Sequence, residues 1–128
     1  MKIIKNSIIP FKGYLAINIF GILFVRREYA YKLEQEPYRT IVLNHESIHT
    51  QQMKDFAWFL PKFIQQYIGG LFFYIIYVFE WLFRLLFTNL NCHKAYRNVS
   101  FEKEAYSNEK DYNYVDNRLI FAQWRKTE

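Results

Sequence analysis

Apolar and polar positions follow three different rhythms along this chain, and each predicts a different element. Between Tyr14 and Val25 (YLAINIFGILFV), Ile17, Ile19, Ile22 and Phe24 sit either side of Gly21, behind a turn marked by Pro10 and Gly13. That spacing of two predicts a β-hairpin or a pair of short strands within residues 8–26. Further on, Ile41, Val42, His45, His49, Gln52, Met53 and Phe56 recur at helical spacing. With Pro37 suited to a first turn and Pro61 to a stop, a helix is expected from about residue 37 to 58.

The third rhythm is hardly a rhythm at all. Tyr67 to Phe79 (YIGGLFFYIIYVF) carries no charge, and Trp81 to Phe87 adds only Arg84 after Glu80. Tyr67–Phe87 has roughly the length that crosses a bilayer as a helix, so residues 62–88 are a candidate transmembrane or membrane-associated helix. Gly69-Gly70 predicts a bend in it. Glu80 and Arg84 lie four apart, share a face and can pair. Beyond it, Thr88–Asn98 reads as a loop. A polar helix is expected to start after Ser100, a good N-cap residue, and to run to about Tyr114, with a short helix over Asp116–Trp124. The sum is an α+β, mostly helical fold in one domain over residues 1–128.

Composition sharpens the membrane question. Of 128 residues, 21% are aromatic (13 Phe, 11 Tyr, 3 Trp), which excludes a disordered tail or linker. About half of those aromatics fall between Phe56 and Phe87, so a membrane or a protein partner is expected to engage the chain through residues 56–87. The net charge of +5 fits a membrane surface or an acidic partner, and nothing in the sequence points to nucleic acid. The N-terminal apolar stretch does not read as a signal peptide: Asn18 interrupts it, Arg26, Arg27 and Glu28 follow, and no small-x-small cleavage site appears. Lys54 and Lys62 on one side and Lys94 and Arg97 on the other give no orientation for a spanning helix. The lone Cys92 excludes an internal disulfide and a cysteine-type zinc finger.

Candidate chemistry sits just ahead of the aromatic block. His45-Glu46-Ser47-Ile48-His49 is an HExxH motif. On a helix, residues i and i+4 share a face, so both imidazoles can reach one Zn²⁺ at about 2.0–2.1 Å. Glu46 is turned by about 100° from His45, which places its carboxylate to act on a water activated by the metal, as general base. Roughly 0.005 chance occurrences are expected in a chain of this composition. A catalytic zinc needs a third protein ligand. His93 is one candidate, in an irregular polar stretch. The acidic helix is a better source: on its Phe101, Ala105, Asn108 and Tyr112 face, Glu104 is about 60° away and Glu102 and Glu109 are about 80–100° away on the other side.

With these residues in view, the sequence resembles the gluzincin metallopeptidases. In that family HExxH is completed by a Glu on a later helix, as E-A-x-S-D in the thermolysin-like group or E-x-x-x-D in the CaaX-protease-like membrane group. Here the matching string is Glu104-Ala105-Tyr106-Ser107-Asn108. The resemblance implies a minimal zincin-like fold, Zn²⁺ held by His45, His49 and Glu104, Glu46 as catalytic base, and Asn108 bonded to a ligand histidine. Asn stands where the family has Asp, so it can orient an imidazole without adding charge. Glu102-Lys103-Glu104-Ala105-Tyr106 also reads as E-x-x-x-Y, which makes Glu102 the reserve ligand. In the membrane group a strand edge binds substrate, a role that would fall to the 14–25 hairpin. The run His49-Thr50-Gln51-Gln52 further resembles a small bacterial family of about this length.

The function expected from this resemblance is a membrane-associated zinc metallopeptidase that hydrolyses a peptide or protein substrate, placed at a bacterial inner membrane or else in the cytoplasm. The alternatives are a non-catalytic, zinc-stabilised membrane or assembly protein and a metal-free interaction module. Tyr106, Tyr112, Tyr114, His93 and Arg118 are all candidates for stabilising an oxyanion.

Overall fold

The computed structural model describes residues 1–125, and the fold is α+β and mostly helical. Strands β1 (Lys2–Asn6), β2 (Ala16–Ile19) and β3 (Ile22–Arg26) form one sheet in the order β1-β3-β2. β3 is central, antiparallel to β2 and parallel to β1. The β2–β3 hairpin is the expected one. Its two-residue turn, Phe20-Gly21, has positive φ at both positions (52° and 86°), the turn geometry that matches the twist of paired strands. β1 was not expected. Its alternation covers five residues, and only the edge that β3 offers gives them a partner.

A 3-10 segment, Arg27–Glu34, leaves the sheet and buries Ala30 and Leu33 against Leu23 and Val25. Helix α1 (Tyr38–Asp55) follows within the expected bounds. Asn18 ties β2 to it by donating from Nδ2 to the Glu46 carbonyl at 2.8 Å and to Thr50 Oγ1 at 3.1 Å. Helix α2 (Lys62–Leu86) then runs through Gly69-Gly70 without interruption. The glycines serve packing. A Cβ at Gly69 would lie 1.8 Å from the Met53 carbonyl oxygen, so only glycine lets α1 and α2 approach this closely.

Residues 92–98 form helix α3 (Cys92–Asn98), where a loop was expected. The Asn91 side chain accepts from the Lys94 amide at 3.0 Å, satisfying a first-turn donor. Helix α4 (Ser100–Asn108) ends well short of Tyr114, and the last expected helix is divided into α5 (Tyr114–Asn117) and a 3-10 turn (Ala122–Trp124). Ser100 opens α4 differently from expectation. Glu80 of α2 accepts from both its amide and its hydroxyl at 2.6 Å, so the cap comes from another helix. Glu80 also pairs with Arg84 at 3.5 Å.

Met53, Phe73, Val99 and Phe101 join α1, α2 and α4 in a second core, with Phe56, Tyr77 and Trp81 packed around it. Burying side chains of this size stabilises by about 1.5–3 kcal/mol each. α2 contributes only an inner stripe. Its outer face leaves Phe63, Leu71, Ile75, Phe79, Phe83 and Leu86 more than half exposed. It is the one helix among the described residues long and apolar enough to cross a membrane.

Candidate metal centre

Three side chains from two helices converge between α1 and α4. His45 and His49 lie one turn apart on α1, and both are buried. Glu102 comes from the first turn of α4 and is 4% exposed. The two Nε2 atoms are 3.2 Å apart. His45 Nε2 is 3.2 Å from Glu102 Oε2, and His49 Nε2 is 3.1 Å from Glu102 Oε1. Ligands at 2.0–2.1 Å in a tetrahedron are separated by about 3.3–3.4 Å, so these three groups already stand close to the edges of a zinc coordination shell.

Hydrogen bonds fix the tautomers. His45 Nδ1 is 2.8 Å from Glu109 Oε2, a carboxylate that only accepts, so Nδ1 carries the proton. His49 Nδ1 is 2.7 Å from Gln52 Oε1. The Gln52 amide cannot be reversed, because its Nε2 donates to the Phe101 carbonyl at 2.9 Å and to Glu104 at 3.0 Å. His49 Nδ1 therefore donates as well. With both protons on Nδ1, both neutral imidazoles aim bare lone pairs at each other and at a carboxylate. Such a convergence of acceptors demands a cation, a proton or a metal ion. Zn²⁺ fits the donor set, with two imidazoles and one carboxylate in place.

Electrostatics agree. Glu46, Glu102 and Glu109 surround the two imidazoles, and none of these carboxylates pairs with a Lys or Arg among the described residues. Burial acts to lower the His49 imidazole, but the Glu102 charge and hydrogen bond, helped by Glu46 and Gln52, push it up to about 9. Burial likewise acts to raise Glu102, and the His49 and His45 imidazoles outweigh it, holding the carboxyl well below the usual range. A proton shared in this cluster stands in for the cation.

Glu46 behaves differently. Burial pushes its carboxyl up, and among the described residues the hydrogen bonds to Glu46 run to its main-chain carbonyl and not to the carboxyl. It lines a cleft of about 390 Å³ with His49, Glu102, Ala16, Asn18 and Tyr96. One wall of this cleft is β2, an edge strand of the sheet. An antiparallel ladder turns the main-chain groups of alternate residues outward, here Ala16 and Asn18. The Asn18 carbonyl is already taken by Tyr74 Oη at 2.8 Å.

Glu104 does not reach the histidines. Arg118 holds it with two hydrogen bonds, from Nε to Oε2 at 2.5 Å and from Nη2 to Oε1 at 3.0 Å, and Tyr114 Oη donates to Oε2 at 2.7 Å. The reserve residue, Glu102, takes the place beside the imidazoles that Glu104 was expected to fill. The reason is helical phase. Phe101 and Ala105 do point inward, but both flanks of that face are buried, one toward α1's histidines and the other toward Arg118. Asn108 is also elsewhere: its Nδ2 donates to the Glu104 carbonyl at 2.8 Å. The groups on the imidazoles are Glu109 and Gln52. Asn44 clamps Glu109 in position by donating to the carbonyls of Asn108, Glu109 and Asp111.

His93 lies exposed on α3 and is not in the cluster. Among the oxyanion candidates, Arg118 is committed to Glu104 and Asp55, Tyr114 to Glu104, and Tyr112 is exposed. Tyr106 Oη is 3.0 Å from Tyr96 Oη, and it is Tyr96 that lines the cleft. Sequence reasoning did not single out Tyr96, Gln52 or Asn44. For Gln52, its place three residues after His49 on the same helical stripe was a usable signal. Comparison with protein-family models, curated proteins and solved structures finds no match for this chain.

Proposed function

We propose that this chain is a membrane-associated zinc metallopeptidase in which His45, His49 and Glu102 hold one Zn²⁺ and Glu46 is the general base. The observation that carries the reading is the set of bare acceptors 3.1–3.2 Å apart, with no Lys or Arg among the described residues to balance them. Bound there, Zn²⁺ supplies Lewis acidity that makes water a nucleophile near neutral pH.

The chain's own residues supply the rest. Glu46, unbonded and facing the cleft, takes a proton from the attacking water as the C–O bond forms, then delivers it to the amide nitrogen as the C–N bond breaks. Glu109 and Gln52 hold both rings in the tautomer that presents Nε2. The outward main-chain groups of β2 can pair with an extended peptide, laying its backbone across the cleft. Tyr96, a cleft hydroxyl bonded to Tyr106 rather than to Glu102, donates to the oxyanion of the tetrahedral carbon. The exposed outer face of α2 supports membrane association.

Zinc content and peptide hydrolysis, measured on wild type and Glu46→Gln, test the reading. One zinc per chain in both, with hydrolysis lost only in Glu46→Gln, is expected. Absence of zinc in wild type after refolding with excess metal overturns the metal site. Unchanged hydrolysis in Glu46→Gln overturns the assignment of the base.

A further inference from the structure

The outer face of α2 carries Phe63, Ile68, Leu71, Phe72, Ile75 and Phe79 and continues through Leu82, Phe83 and Leu86. Beyond Lys62 at its first position, the charged residues of the helix, Glu80 and Arg84, pair with each other, and Glu80 caps α4. From Phe63 to Leu86 the apolar face is therefore charge-free over about 36 Å, the rise of the helix after its first residue.

The inner face is occupied along nearly the same length. Gln66 donates to the Phe20 carbonyl at 2.7 Å, Tyr74 to the Asn18 carbonyl at 2.8 Å and Tyr77 to Glu102 at 2.9 Å. Farther along, Glu80 caps Ser100 and Trp81 Nε1 donates to the Cys92 carbonyl at 3.3 Å. The sheet, the metal cluster, α4 and α3 thus lie beside α2 one after another. If α2 crossed a bilayer, these elements would cross with it. They carry exposed Lys94 and Arg97 and the carboxylates Glu46 and Glu102 at the cleft, which hydrocarbon does not tolerate. A helix packed on protein along one side and apolar along the other satisfies both media by lying in the interface.

Charge selects the covering surface. Residues 1–28 and 56–100 hold nine Lys and Arg and two acids, Glu28 and Glu80, which pair with Arg26 and Arg84 and leave seven cations, while every other Asp and Glu falls in the remaining segments. The segments that bear the exposed apolar surface are thus basic, matching an anionic lipid surface and not a second copy of the same basic face. The cleft joins this surface. Its rim includes Val78 of α2 together with Phe11 and Tyr14 of the β1–β2 loop, which are 52%, 85% and 60% exposed.

We propose that α2 lies flat in the interface of an anionic bilayer and that the cleft opens at that surface through Phe11, Tyr14 and Val78, so the substrate is a polypeptide segment held at the membrane. The substrate class rests on the peptidase reading, whereas the orientation of α2 does not.

The test places an environment-sensitive fluorophore on single cysteines, Phe11→Cys, Phe63→Cys, Ile75→Cys and Leu86→Cys, in a Cys92→Ala background. All four positions are exposed, so folding is spared. The protein is bound to vesicles of equimolar phosphatidylcholine and phosphatidylglycerol that carry a quencher either at the headgroup or near the acyl-chain end. All four labels are expected to be quenched to a similar degree, more by the shallow quencher than by the deep one. Deep quenching at Ile75 with shallow quenching at Phe63 and Leu86 overturns the flat orientation in favour of a spanning one. Absence of quenching along α2 overturns the lipid assignment, and its absence at Phe11 alone overturns the placement of the cleft. Zinc content measured on the same samples reports failure of the metal reading separately.

Discussion

Two buried carboxylate clusters flank helix α4, and they are balanced in opposite ways. On one side Glu104 and Asp55 share Arg118, whose Nη1 is 2.8 Å from Asp55 Oδ2. On the other side Glu102 and Glu109 face two imidazoles with no guanidinium or ammonium among the described residues. The first cluster carries its counter-charge in the chain and is complete as it stands. Among the described residues the second has no Lys or Arg, and its counter-charge in the metal-free protein is a proton held by the imidazoles, at the point a metal ion would occupy. A buried carboxylate is therefore a poor marker of a site, whereas a buried carboxylate without a matching cation is a good one.

The sharpest way to break this contrast is to remove an imidazole. His45→Ala or His49→Ala is expected to abolish stoichiometric zinc, read by elemental analysis of the purified protein, because two protein ligands do not hold a catalytic zinc. Next in size is Arg118→Met. It leaves Asp55 and Glu104 buried and uncompensated, and is expected to cost about 3–5 kcal/mol in urea unfolding. Glu46→Gln should lower kcat on a fluorogenic peptide by about 10²–10⁴-fold while zinc stays bound, the range for a lost general base. Glu109→Gln keeps the hydrogen bond to His45 Nδ1 but removes its charge, and should weaken zinc by about 10–100-fold in competition with a chelator.

The most gradual effect is in pH. His49 has its folded value raised from 6.5 to about 9 in the metal-free cluster. The stability contributed by its proton is full below about pH 6.5 and is lost as pH rises through about 9. Zinc must displace that proton, so its affinity should rise by about tenfold per pH unit across the same window while the metal-free fold weakens. Parallel slopes in place of opposite ones would separate the metal from the proton's site.

How much of this was legible in the sequence differs between the clusters. HExxH on an amphipathic helix is local: spacing alone places His45, Glu46 and His49, and α1 forms within the expected bounds. The hairpin was legible for the same reason, whereas β1 and α3 were not, because each is short and depends on a distant partner. Which carboxylate joins the two histidines is a tertiary fact. Glu102 and Glu104 stand two residues apart on one helix, and a helical projection puts both near the inward face. What separates them is Arg118, fourteen positions beyond Glu104, whose approach depends on the turn that follows α4 and on α5. Likewise the Gly69-Gly70 pair is a turn signal in sequence, yet it serves as a contact between helices, because the Met53 carbonyl occupies the space a side chain would need.

The contrast between the two clusters reduces to one measurement, zinc stoichiometry in Glu102→Gln and Glu104→Gln beside wild type. The Glu102 assignment predicts one zinc per chain in wild type and in Glu104→Gln, and loss of stoichiometric zinc in Glu102→Gln. Zinc retained by Glu102→Gln and lost from Glu104→Gln, or no zinc in wild type under metal excess, would contradict it.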